Sequence, residues 1–183
     1  MKVSLSQVPH IADRVAVELA RSGLVSMTQG MEPIAAAAKN VLEANVKKEA
    51  ALEARVKEIV SENEDEIDFY QADDRQLFFM IKKKLAPEYG VILSYEDRFS
   101  DLAHQILDAI YEEDLVNYDV SENRIKNIIY DAITGFIADN DEIEKAVIEK
   151  MRSFQKQLIP GTDEYEIRYE KLYREELARR GQA

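Results

Sequence analysis

The sequence predicts an all-α protein, elongated and built from two related helical halves. Three observations carry that reading. Apolar residues recur at three- and four-residue intervals along most of the chain. Segments stop at single Gly or Pro residues, without convincing hairpin signals. A set of positions in the first half recurs 91 residues later in the second. With 183 residues the chain is long enough to bury a sizeable core, and 46% hydrophobic with 33% charged residues is a globular composition.

The elements follow in order. Val8, Ile11, Val15 and Leu19 lie at helical spacing, and Gly23 is placed to end that helix. Pro33 suits the first turn of a long helix, about residues 33–67, that no Gly or Pro interrupts from Ile34 to Ile67. Its apolar marks thin around Asn45–Lys48, which suggests an arm packed along one side. Asp73 and Gln76 read as a capping box for the next helix, which Pro87 closes. Ser94 and Asp97 start another, striped by Tyr95, Phe99, Leu102, Ile106 and Ile110. "NYDV" is at most a short extended piece. Ser121 then caps a helix whose Ile125, Ile128, Ile129, Ala132, Ile133 and Phe136 form the most apolar face in the chain. Gly135 and "ADND" interrupt it, so Asp141 with Glu144 is expected to open a separate helix toward Leu158. After Pro160-Gly161, Thr162 or Asp163 caps a last helix with Tyr165, Tyr169, Leu172 and Tyr173 along one side.

The repeat aligns Leu24-Val25 with Leu115-Val116, then Ile34 with Ile125, Leu42 with Ile133, Leu52 with Ile143, Glu53 with Glu144 and Val56 with Val147. One residue more of offset pairs Leu77 with Tyr169, Met80 with Leu172 and Leu85 with Leu177. The expected organisation is a first helical repeat over residues 1–90 and a second over 91–183.

Composition excludes several chemistries. With no cysteine there are no disulfides, thiolate metal sites or cysteine nucleophiles. The six glycines never form a phosphate-binding loop or a nucleophile elbow. His104 lies among Asp101 and Asp108 on one helix, which reads as a partly exposed histidine with acidic neighbours rather than a metal centre. "ADNDEIEK" puts Glu144 where a calcium loop needs glycine, leaving capping as the account of Asp141. The run "ENEDEID" (Glu62 to Asp68) reads as a solvated turn and helix entry. Tyr165, Tyr169 and Tyr173 read as a cover over the core, because the glutamates around them would repel phosphates. The expectation is therefore no catalytic residue, no metal and no cofactor. An enzyme survives only as chemistry by isolated carboxylates and tyrosines. No apolar run reaches the length of a membrane span, and the first residues lack a signal peptide's pattern, so a cytoplasmic protein with no membrane partner is expected.

Three blocks, "KVSLSQVPHIA", "FFMIKKKLAPEYGVILSYEDR" and "LIPGTDEYEIRYEKLYREELARRG", mix turn residues with charged ones. Together they resemble the uncharacterised bacterial family known as domain of unknown function 507, over essentially the whole chain. The resemblance implies a cytoplasmic, all-helical protein. It implies no activity, ligand or catalytic residue.

One surface stands out in this chain of net charge −12. In "QLFFMIKKKLAP" the three lysines suit a helix C-terminus, where each cation gains about 0.3–1 kcal/mol. At 100° per residue Leu77, Phe78, Ile81 and Leu85 share one face, with Met80 and Lys84 at its flank. Phe79 falls on the opposite side, among Arg75, Lys82 and Lys83. An aromatic among three cations on a nominally wet face breaks the binary pattern. Either the second half or a partner subunit covers it, or Arg75, Phe79, Lys82 and Lys83 form a binding surface. The leading expectation is a non-enzymatic adaptor or scaffold working through an unidentified protein partner. The alternative is an RNA- or DNA-associated factor using the basic face around residues 75–84. Residues 91–183, with 12 Lys/Arg against 21 Asp/Glu, disfavour nucleic acid in the second half.

The elongated reading has a direct test. A compact chain of this length has a radius of gyration of roughly 16 Å. Small-angle X-ray scattering is expected to return a clearly larger value, and the compact one would remove the arm from the description.

Overall fold

The computed structural model describes residues 3–63, 74–154 and 159–180. Among these residues the chain is all-α. It forms helices α1 (Val8–Ser22), α2 (Met31–Glu62), α3 (Asp74–Leu85), α4 (Tyr95–Glu112), α5 (Glu122–Arg152) and α6 (Asp163–Arg179). Two strands of two residues each, β1 (Ser26–Met27) and β2 (Val116–Asn117), pair antiparallel. No described helix is long and apolar enough to cross a membrane.

Gly23 ends α1 at φ +66°, a left-handed conformation that costs glycine nothing and other residues strain. Asp114, 91 positions later, takes φ +54° just after α4, so both first helices of the expected halves end with a left-handed residue. Each is followed by Leu-Val, with β1 starting just after Val25 and β2 starting at Val116 itself. In the ladder Ser26 pairs with Asn117, its counterpart at the same offset, and Met27 with Val116. Thr28 extends the junction: its N–H donates to Leu115 O at 3.1 Å and its hydroxyl to Asp114 O at 2.6 Å. The long helices α2 and α5 also start 91 positions apart, at Met31 and Glu122.

Two expected boundaries change. α2 stops at Glu62, not near Ile67. Asn63 leaves helical geometry, and its Nδ2 donates to Ile59 O at 2.7 Å, satisfying a carbonyl of the last turn. The rest of the acidic run, from Glu64, and the Asp73 half of the expected capping box lie outside the described residues, whereas the helix expected to run toward Leu158 ends at Arg152. The second change is larger. The two helices expected in the second half are one continuous helix of 31 residues. Gly135 costs a helix about 1 kcal/mol. Ile129, Ile133, Ile137, Ile143 and Val147 keep one buried face in register across it. Asp141 is therefore mid-helix and caps nothing. Two of the expected caps form: Ser94 Oγ accepts from Asp97 N, and Thr162 Oγ1 from Tyr165 N.

The chain forms two compact units, Met1–Thr134 and Gly135–Ala183. This division follows packing, whereas the expected boundary at residue 90 follows sequence similarity. In the first unit, α1 packs on α2, bringing Val8, Ile11, Val15 and Leu19 to bury with Ile34, Ala38 and Leu42. Further along α2, Leu52 and Val56 join Ala86 and Val91, against which Phe78, Ile81 and Leu85 of α3 pack. In the second unit Ile143, Val147 and Met151 of α5 bury with Leu172 of α6.

The apolar face of α5 differs from expectation at one position. Ile125, Ile129 and Ile133 are fully buried, but Phe136 is only half-buried and Ile137 takes the inner place. Ile129→Ala is expected to cost about 2–5 kcal/mol. Phe136→Ala is expected to cost less than the roughly 3–5 kcal/mol of a fully buried Phe. Urea denaturation of both variants checks the order, and the reverse order would place the helix face wrongly.

Candidate functional site

α2 loses its apolar stripe around Asn45–Lys48 because a charge occupies the next inward position. Glu49 follows Leu42 by two helical turns and precedes Leu52 by one, so it points where a leucine would. It is only 4% exposed, and so is Arg98 on α4. Arg98 Nη1 donates to Glu49 Oε2 at 2.8 Å and Nη2 to Oε1 at 3.3 Å. The paired donors fit the planar carboxylate. Arg98 Nε donates to the backbone oxygen of Ile92 at 2.6 Å, and the guanidinium lies 5.5 Å from the Tyr95 ring centroid. Lys82 of α3 completes the cluster, its Nζ 2.8 Å from Glu53 Oε1 and 3.3 Å from Glu49 Oε1. Two carboxylates and two cations balance, and three helices meet there. Among the described residues no buried side-chain nitrogen or oxygen lacks a hydrogen-bond partner.

Burial pushes the Glu49 carboxyl up, but hydrogen bonds and charge from Arg98, joined by Lys82, outweigh it and hold it below the ordinary range. Burial pushes the Lys82 ammonium down, and Glu53 with Glu49 more than restores it, leaving it above its ordinary value.

This geometry divides the four residues expected as a binding surface. Arg75 and Lys83 are exposed, and Phe79 is 67% exposed. Lys82 is withdrawn from the surface: its side chain is 13% exposed and engaged by α2. It sits 60° around the axis from Phe79, close enough to the buried face for a long side chain to bend inward. Met80, expected at the flank of the apolar face, is instead 67% exposed beside Phe79. Phe78 meets Phe79 edge-on at 6.1 Å while itself packing toward α2. The exposed face of α3 thus carries two parallel rows, Arg75–Phe79–Lys83 and Gln76–Met80–Lys84.

The second unit satisfies its buried polar groups differently. Asn140 is 4% exposed, donates to Glu144 Oε1 at 2.9 Å and accepts the Tyr173 hydroxyl. Glu176 has no exposed surface because its own partners cover it: Lys150 Nζ at 3.0 Å, Arg180 Nε at 3.0 Å and the Arg179 guanidinium. Hydrogen bonds from Arg179, Lys150 and Arg180 hold that carboxyl far below the ordinary range. Tyr165, Tyr169 and Tyr173 stack successively at 6.2 Å and cover the apolar cluster, as expected of a core rim. Burial, then the Glu144 charge, pushes the Tyr169 phenol up to about 12.

Other places carry less. His104 Nε2 lies 3.5 Å from Asp108 Oδ2, and both side chains are more than half exposed. Among the described residues no group of three metal-ligating side chains converges. An open cleft of about 440 Å³ between α1 and α5 mixes Arg14 and Arg21 with Glu18 and Asp131, which leaves it no dominant charge. The sequence reading missed the Glu49–Arg98 pair. Its signal was present as two opposite charges, each at an inward-facing helical position.

The sequence pattern of the family described as Protein of unknown function (DUF507) matches residues 1–182. No curated protein matches the chain.

Removing one partner of the buried pair, as in Glu49→Gln or Arg98→Met, is expected to cost about 3–5 kcal/mol. Replacing both by apolar residues is expected to recover part of that loss. The pH dependence follows from the shifts. The Glu49 contribution is complete above 4.5 and is lost as pH falls through the depressed folded value. The Lys82 contribution is complete below 10.5 and is lost as pH rises past the raised value. Urea unfolding across pH should therefore show a shallower acid limb in Glu49→Gln than in the parent chain, and equal acid limbs would refute the linkage.

Proposed function

The chain belongs to the family of proteins of unknown function DUF507, and on that premise we propose that it is a non-enzymatic, cytoplasmic helical adaptor or scaffold acting through protein–protein contacts. One observation carries the reading. Phe79 and Met80 stand side by side on α3 at 67% exposure each, while the same helix commits Phe78, Ile81 and Leu85 to the core. Burying one such side chain stabilises by about 1.5–3 kcal/mol, and α3 leaves that gain unused on its outer face. The helix dipole accounts for lysines at the end of α3, but not for the aromatic between cations. Aromatic residues and arginines are enriched where partners dock.

The net charge of −12 works against a polyanion more than against a protein with a mixed surface, so a protein is the favoured partner. The matching order of elements in the two halves supports the scaffold reading, since repeated helical units build extended contact surfaces.

Phe79→Ser combined with Lys83→Glu is expected to keep the circular dichroism spectrum and melting temperature of the parent chain, because both side chains are exposed. The variant should lose at least about tenfold of the protein recovered by the tagged parent in a pull-down, one decade being roughly 1.4 kcal/mol. Loss of bound RNA with no loss of protein would hand the surface to the nucleic-acid reading. Unfolding by Phe79→Ser alone would show that the residue belongs to the core.

A further inference from the structure

Three exposed apolar residues, two on α3 and one on α6, sit in opposite electrostatic surroundings. On α3, Phe79 and Met80 are flanked by Arg75, Lys83 and Lys84. On α6, Ile167 is 70% exposed. Its helical neighbours four and three residues before it are Asp163 and Glu164, and three residues after it is Glu170. Lys171, four residues after it, lies 3.9 Å from Glu175, and Glu170 is paired with Arg174. The start of α6 therefore sets an isoleucine beside Asp163 and Glu164, and α3 sets a phenylalanine and a methionine among cations.

Resting on the reading of the α3 face as a contact surface, we propose that its occupant is α6 of a second copy of this chain. Ile167 covers Phe79 and Met80, while Asp163 and Glu164 meet Lys83 and Lys84. Both halves of the contact are single-helix faces, so the buried area falls in the small, weak class of interfaces. Association is then reversible and concentration-dependent. Two copies of charge −12 repel at long range, but at physiological ionic strength that repulsion is screened beyond about 8 Å, while pairs in contact keep their attraction. An apolar centre ringed by opposite charges also fixes which faces meet.

Sedimentation equilibrium of the purified full-length chain over a concentration series tests the proposal. The expected result is a mass that rises above the 21.0 kDa monomer with concentration. Lys83→Glu with Lys84→Glu should weaken association at least about tenfold, as should Asp163→Lys with Glu164→Lys. Mixing the two charge-reversed chains should restore it, because each then meets its complement. Ile167→Ser should weaken association without touching any charge, which keeps the test decisive if a reversed α6 fails to fold.

A monomer at every concentration overturns the proposal. If Phe79→Ser with Lys83→Glu still loses recovered protein in that case, the contact-surface reading stands and only its occupant was wrong. Self-association undiminished in both charge-reversed chains places the contact elsewhere and also overturns it. So does a monomeric parent chain that binds anionic phospholipid vesicles or single-stranded oligonucleotide through Lys83 and Lys84.

Discussion

A carboxylate and a guanidinium buried together, Glu49 on α2 and Arg98 on α4, constrain everything packed around them. Each would be costly alone in an apolar interior. Together, with the Ile92 carbonyl and Lys82 filling the remaining positions, they form a closed set of donors and acceptors. That closure requires α2, α3 and α4 to hold one relative placement, since a slide of one helical turn would strand a charge. A hydrophobic substitute could be as stable, but it would tolerate sliding. The pair thus confers register more than raw stability, and Lys82 extends that register to α3.

The second unit meets the same structural need with different chemistry. Asn140 stands 91 positions after Glu49, and Glu144 stands 91 after Glu53. Where Glu49 accepts from Arg98 and Lys82, Asn140 accepts from a tyrosine and donates to Glu144. The two long helices, α2 and α5, each carry a buried polar residue at this offset, with a glutamate one turn on. The charge in the second unit has moved to Glu176, which is buried under its own cationic partners instead of within an apolar core.

Lysine placement on α3 links packing to the proposed contact surface. Lys82 is drawn inward by Glu49 and Glu53, while Lys83 and Lys84 stay on the outer side with Phe79 and Met80. Three consecutive lysines therefore do two jobs. One locks the helix against α2, and the other two give its outer face a positive rim. Because the lock pins α3, the exposed aromatic is presented on an ordered element rather than a loose one, an arrangement that would reduce the entropy offset on docking at the proposed surface.

Helical periodicity and end signals were legible residue by residue. The α1 stripe, the stop at Gly23, the caps at Ser94 and Thr162, and the tyrosine cover on α6 depend on neighbours within one or two turns. Exposure of Phe79 was half legible: the wheel placed it opposite the core face, but not whether another element covers that side. The sequence by itself determined the helical class, the family resemblance and most element starts, because local hydrogen bonding and spacing decide those. Only the tertiary structure decided that α5 runs unbroken through Gly135, that Lys82 turns inward, and that Glu49 and Arg98 belong to each other. In each case the outcome depends on partners dozens of residues away or on the summed burial of a whole helix face, and neither is encoded within any one segment.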